Sequence, residues 1–238
     1  MFTSRTRARL AACATLAALG LAPAVHAQIL TLNTGENVTV DGTGTHGIAG
    51  GKAFHNTTTS YTDIDDYYNF YSVRTTDNAA FTLGKGGSLT AGHNKSALAA
   101  YGSGPVTITG GSIVSGKHGG ALDAEGSGPV TITGGSITGN VGTSNGPMTI
   151  KGGTFSTVSG DAMLYAGVSD DAKGSTIDLY GKFDGLTLGQ TQTLPRGKGS
   201  FTGTLENNTV SQTFTYVNNT IIRLHDVALS PPPRSRRR

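Results

Sequence analysis

Apolar and hydroxyl side chains alternate in short recurring runs along this chain. Val106-Thr107-Ile108-Thr109 and Val130-Thr131-Ile132-Thr133 are two of them. Alternation at period two with β-branched residues predicts strands with one buried face, Val106 and Ile108 inward and Thr107 and Thr109 outward. Each run follows Gly-Ser-Gly-Pro and precedes Gly-Gly, so GSGPVTITGGSI occurs twice, from Gly102 and from Gly126, 24 residues apart. A looser copy, GPMTIKGGTF, begins at Gly146. The Gly-Gly pairs fit sharp corners, because glycine reaches positive φ at little cost. A second short strand starts at Ser112-Ile113 and Ser136-Ile137, and a third apolar piece, Ala97-Leu98-Ala99 or Ala121-Leu122-Asp123, precedes each Pro.

Three short strands and three corners in 24 residues suit one turn of a stacked structure in which each unit buries its apolar face on the next. The expected fold is therefore all-β, a right-handed parallel β-helix or solenoid of about 24-residue coils with a C-terminal antiparallel cap. A helical reading fails on glycine density, since each glycine costs about 1 kcal/mol in a helix relative to alanine. A β-sandwich accounts for strand spacing but not for a near-verbatim repeat.

Along the chain the same logic sets the boundaries. Residues 28–78 read as an N-terminal coil or cap, 79–181 as solenoid repeats and 182–226 as a C-terminal β cap of Thr/Asn-rich strands. Phe81-Thr82-Leu83 and Gly86-Gly87-Ser88-Leu89 make a degenerate coil with one inserted residue. The segment 55–74 interrupts the pattern with Tyr61, Tyr67, Tyr68, Asp63, Asp65 and Asp66. Those six are the candidate ligand-binding residues, because tyrosines with carboxylates can stack on sugar rings or offer oxygens to Ca²⁺. The competing reading is an aromatic strand packed over one end of the solenoid. No cofactor is expected apart from that possible Ca²⁺, and no metal site, since Asp63-x-Asp65 lacks the Gly and distal Glu of an EF-hand loop.

The two ends change the charge picture. Arg5, Arg7 and Arg9, the apolar run Leu10 to Ala22 and Val25-His26-Ala27 read as a secretory signal peptide over residues 1–27, cleaved before Gln28. The tail 227–238, with Pro231-Pro232-Pro233 and four arginines, cannot join a sheet and is expected to be disordered. Seven of the 18 basic residues are arginines of these ends, which leaves 11 against 15 acidic residues and a mildly acidic body. Nucleic-acid binding needs a basic face and is excluded as an expectation. Cys13, the one cysteine, lies in the leader, so an exported chain would carry no disulfide and no transmembrane segment once the signal is removed.

No catalytic constellation emerges, and the chain is not expected to be an enzyme. Asp123, Glu125, Asp161, Asp170, Asp171 and Asp178 do not form a carboxylate ladder when the repeats are aligned, since Asp123 falls opposite Ala99. His26, His46, His55, His93, His118 and His225 lack zinc-site spacing. Thr107, Thr109, Thr131, Thr133 and Thr149 form an outward hydroxyl array of about three coils, of a kind that orders water on ice-binding solenoids and also arises wherever Thr suits an exposed strand.

The coil motif Gly120-Ala121-Leu122-Asp123-Ala124-Glu125-Gly126 followed by Val130-Thr131-Ile132-Thr133-Gly134-Gly135 resembles exported right-handed β-helix proteins of the pectin-lyase-like superfamily, and in particular bacterial β-helix carbohydrate-binding domains. It covers about a quarter of the chain. Ser175 to Gly181, Gly199 to Leu205 and Thr220 to Asp226 resemble the end of surface proteins with a PEP-CTERM sorting tail, although the Glu and the apolar helix of that tail are missing. The resemblance implies a secreted or cell-surface bacterial protein. The expected function is structural or adhesive, with polysaccharide or other surface proteins as partners. The alternative is a carbohydrate-binding module, and the third reading is a polysaccharide lyase or hydrolase.

Overall fold

A computed structural model describes residues 29–49, 51–63, 71–158, 164–166, 175–195, 197–217 and 220–227. The leader, the basic tail and Asp161, Asp170 and Asp171 lie outside these residues. The described chain is all-β, without helix, and its 21 strands join in one large, mostly parallel sheet system.

Three parallel ladders run through it, and each residue column can be read off the register. In the first ladder Val38, Phe81, Val106, Val130, Met148, Ile177 and Ile222 stand in line, flanked by Val40, Leu83, Ile108, Ile132, Ile150, Leu179 and Leu224. The second aligns Tyr61, Leu89, Ile113, Ile137 and Phe155. The third aligns Leu30, Val73, Leu98, Leu122, Val141, Leu164 and Tyr216. Residues of all three ladders belong to a single buried hydrophobic cluster. The period-two alternation of the sequence therefore translates directly into stacked apolar columns, and the phrase GPxTI places Val106, Val130 and Met148 in one inward column as expected.

The corners explain the glycine and proline content. Pro105, Pro129 and Pro147 each pass a carbonyl to the preceding repeat, accepting from the N–H of Phe81, Val106 and Val130 at 3.0, 2.9 and 2.9 Å. Proline at the entry to a strand loses no ladder donor that the fold uses. Gly111 sits at φ +78°, and a Cβ there would come within 2.6 Å of the carbonyl oxygens of Gly84 and Gly87. Successive corners pack backbone on backbone, so a side chain is excluded at that point.

The N-terminal residues pair as a coil does: Leu30–Leu32, Asn37–Asp41, Ser60–Asp63 and Tyr71–Thr75 all pair in parallel with the following repeat. Ser60–Asp63 and Tyr71–Thr75, at the two sides of residues 64–70, are thus ladder strands. The repeat also shortens after Gly139, so Ile137 meets Phe155 only 18 positions on, with register shifts beside Thr133. Antiparallel strands occur at both ends. Gly44–Ala49 and Lys52–Asn56 fold back beside Asn37–Asp41, and Lys198–Leu205 pairs antiparallel with Ile177–Phe183 and Gln212–Val217. Phe183, Phe201 and Phe214 pack with ring centroids 5.5–5.7 Å apart over the last repeat. Among the described residues no helix is long and apolar enough to cross a membrane.

Ile132 is fully buried between Ile108 and Ile150. Ile132→Val is expected to cost about 1 kcal/mol in urea unfolding. Ile132→Asp should abolish the cooperative transition, because an unpaired buried charge outweighs the whole stability of roughly 5–15 kcal/mol that holds a domain together.

Candidate functional site

The outward positions of the third ladder carry a concentration of aromatic and charged side chains that the repeat does not require. Arg74, Ala99, Asp123, Gly142 and Tyr165 form one outward column. Tyr101 and Glu125 lie one step beyond the buried Ala100 and Ala124, in equivalent places of successive repeats. The inward residues hardly change between these repeats, with Leu98 beside Leu122 and Ala100 beside Ala124, while the outward ones change from Ala99 and Tyr101 to Asp123 and Glu125.

Gly142 makes the column work. A Cβ there would lie 2.2 Å from the Tyr165 ring, so the ring can fold back over the ladder only because glycine stands beneath it. Its phenol then donates to Asp123 Oδ1 at 2.5 Å. One repeat earlier, the Tyr101 hydroxyl donates to the Tyr71 hydroxyl at 2.9 Å, the two rings meeting edge to face at 5.5 Å. The Arg74 guanidinium lies 5.2 Å from the Tyr101 ring centre and 5.7 Å from that of Tyr71, a cation already held by the rings.

The electrostatics point one way. Burial pushes the Tyr165 phenol well above its ordinary range, and the Asp123 and Glu125 charges push it further. Tyr101 is raised by burial, by its bond to Tyr71 and by Glu125. Glu125 is itself raised, by partial burial and then by Asp123. The corner that follows the ladder adds Glu36 and Asp77. Segments 33–36, 76–79, 101–105, 125–129 and 144–147 contain no lysine or arginine. Lys95 and Lys117 belong to the corner at the other end of the same strands. This edge is acidic, aromatic and rich in hydrogen-bond acceptors.

A second polar group closes the first ladder. Asp178 accepts from Arg223 Nε at 2.6 Å and Nη2 at 3.1 Å, and meets His225 Nε2 at 2.7 Å. His225 stacks on Tyr180 at 4.4 Å, and Lys151 Nζ lies 4.3 Å from the same Tyr180 ring. Burial pushes the Asp178 carboxyl up, but the hydrogen bonds and charges of Arg223 and His225 outweigh it and hold the group below its ordinary value. This ion-pair knot terminates an outward threonine rank longer than the sequence indicated. Thr39, Thr82, Thr107, Thr131 and Thr149 stand in register, followed by Asp178 and Arg223. The second ladder adds a rank of Ser60, Ser88, Ser112, Ser136 and Thr154.

The residues singled out in the sequence fall elsewhere. Tyr61 is 4% exposed, packs against the core in line with Leu89 and donates to Thr45 Oγ1 at 2.9 Å, so its ring is not offered to a ligand. Burial pushes its phenol up, against the hydrogen bonds to Thr45 and Asn56. Asp63 pairs through its backbone with Ala91. Asp65, Asp66, Tyr67 and Tyr68 lie outside the described residues. His93 and His118 do meet on adjacent corners, edge to face at 5.6 Å, both exposed. Among the described residues no three His, Cys, Asp or Glu side chains gather as a metal site. The third-ladder cluster was readable only as Ala99/Asp123 and Tyr101/Glu125, the points where two near-identical repeats diverge. Compared with family models, curated proteins and solved structures, the chain matches none.

Two measurements check this geometry. Gly142→Ala should push Tyr165 off Asp123, and the raised phenol should return toward its ordinary range in an ultraviolet pH titration. Asp178→Asn should cost about 1 kcal/mol at neutral pH, a modest figure because Arg223 is 44% exposed and water screens the pair. Since the Asp178 carboxyl is depressed in the fold, its stabilisation is complete above the ordinary value of 3.8 and is lost as pH falls through the lower folded value. Thermal midpoints of the two proteins should therefore converge below that pH.

Proposed function

We propose that this chain is an exported, non-catalytic surface or matrix protein, wound as a right-handed parallel β-helix with one coil per repeat. It acts in structure and adhesion by presenting a rigid polar face to polysaccharide or to neighbouring surface proteins. The observation that carries this reading is the outward hydroxyl register, Thr39–Thr82–Thr107–Thr131–Thr149 beside Ser60–Ser88–Ser112–Ser136–Thr154. Hydroxyls donate and accept, so they bond glycans or other chains, yet without a base they activate no nucleophile. A three-ladder β structure held by backbone hydrogen bonds and one core needs no disulfide, which suits an oxidising, unprotected exterior. The resemblance of the coils to exported β-helix proteins supports the same location, with the mature chain beginning at Gln28.

A second reading, a carbohydrate-binding module, is favoured by one specific observation: the Tyr71, Arg74, Tyr101, Asp123, Glu125 and Tyr165 face. Rings fixed by their hydroxyls, beside two carboxylates on one rung, are the side chains that grip a sugar without reacting with it.

The test is fractionation of producing cells together with an assay on acidic and neutral polysaccharides. The expected result is a chain starting at Gln28, retained at the cell surface or matrix and releasing no sugar ends. Steady release of reducing or unsaturated ends would replace this reading with a hydrolase or lyase.

A further inference from the structure

We propose that the outer face of the third ladder binds an amino sugar chain through its protonated ammonium groups, held by Asp123 and Glu125 against the rings of Tyr101 and Tyr165. The proposal rests on the carbohydrate-binding reading above and names its ligand class. The charge inventory carries it first. Among the described residues the face offers two carboxylates and three phenols against one cation, Arg74, and Arg74 is already engaged over Tyr71 and Tyr101. Among the described residues, the adjoining corner adds Glu36 and Asp77 and no lysine or arginine. A uronate or sulfated chain would be repelled here, while a ligand that brings ammonium groups supplies the missing counter-charge.

The rings give the second line of argument. Arg74 lies over two of the three tyrosines, so this aromatic group demonstrably takes a cation on its faces. Burial first, and then the neighbouring Asp123 and Glu125 charges, hold Tyr101, Glu125 and Tyr165 above their ordinary values.

Spacing gives the third. Arg74 and Asp123 are two rungs apart, as are Asp123 and Tyr165. Rungs of a parallel ladder are about 4.8 Å apart, so two rungs span about 9.6 Å, close to two linked pyranose rings in an extended chain. Asp123 and Glu125 belong to one rung, so an extended polysaccharide lying along the ladder axis sets one sugar on the carboxylates and the next beside the Tyr165 ring.

Isothermal titration of the full chain tests this with glucosamine oligosaccharides, N-acetylglucosamine oligosaccharides of equal length, oligogalacturonates and oligolysine. The glucosamine oligomer should bind. Its acetylated counterpart should bind about tenfold more weakly or less, as loss of one charge-assisted contact implies, and the oligogalacturonate should not bind. Glu125→Gln, on an exposed side chain, should weaken glucosamine-oligomer binding about tenfold with an unchanged unfolding midpoint, and Val210→Ala, at an exposed position remote in sequence from the site, should leave it intact. Asp123→Asn, which keeps an acceptor for Tyr165, should weaken it as well. Equal affinity for free and acetylated oligomers, or binding indifferent to both carboxylate variants, overturns the ammonium proposal and leaves the carbohydrate reading standing. Absence of binding to every saccharide overturns both. Oligolysine bound as tightly and lost equally in Glu125→Gln overturns the proposal in favour of a basic peptide.

Discussion

Register between neighbouring parallel strands is the constraint on which this molecule depends. Side chains alternate across a strand, so a slip of one residue would send every Val and Ile of a rung outward and every Thr inward. The structure holds register through identical inward residues, with Ile108, Ile132 and Ile150 in one line, and through corners that pass a carbonyl from one repeat to the next. Because three ladders share one core, a slip in one is opposed by the packing of the other two.

The same constraint leaves outward positions free to vary, and the chain uses that freedom differently on each ladder. The first two keep small hydroxyl residues at nearly every outward rung. The third changes residue type from one rung to the next and accumulates rings and charges. Core and surface chemistry are thereby separated within a single strand of five residues, as in Gly120–Ala124, where Ala121, Leu122 and Ala124 are buried and Asp123 faces out.

How much of this was legible follows from the distances involved. The stacking of Val106 on Val130 needed only a near-verbatim phrase, and the all-β class followed from alternation and glycine. The earlier strands were harder, because Tyr71–Thr75 carries Tyr and Arg in place of the Ala-Leu-Ala pattern and its partner rung is recognisable only from Val73. The 18-residue step was legible in the offset of Gly128-Pro129-Val130 from Gly146-Pro147-Met148, whereas the corner that shortens, between Ile137 and Val141, carries no apolar period to mark it. The candidate site was hidden most completely. Tyr165 reaches Asp123 across 42 residues and over a glycine whose importance appears only when the ring above it is seen. Tyr61 misled for the opposite reason: a phenol in a Tyr/Asp-rich stretch looks exposed, yet Thr45 satisfies its hydroxyl inside the core.

The match between Gly102–Glu125 and the block that follows has an evolutionary consequence. Its two ends, Gly102 and Gly126, occupy the same place in successive corners, with Gly126 N–H on Ala100 O and Gly128 N–H on Gly102 O. A gene segment copied between those points would insert one more rung into all three ladders at once, with its ends already meeting and its apolar residues already aligned. Length is therefore a heritable variable of this architecture, adjustable by duplication without any new solution to packing. Each added copy then begins as a blank surface on which ligand contacts can accumulate by substitution at the outward positions alone.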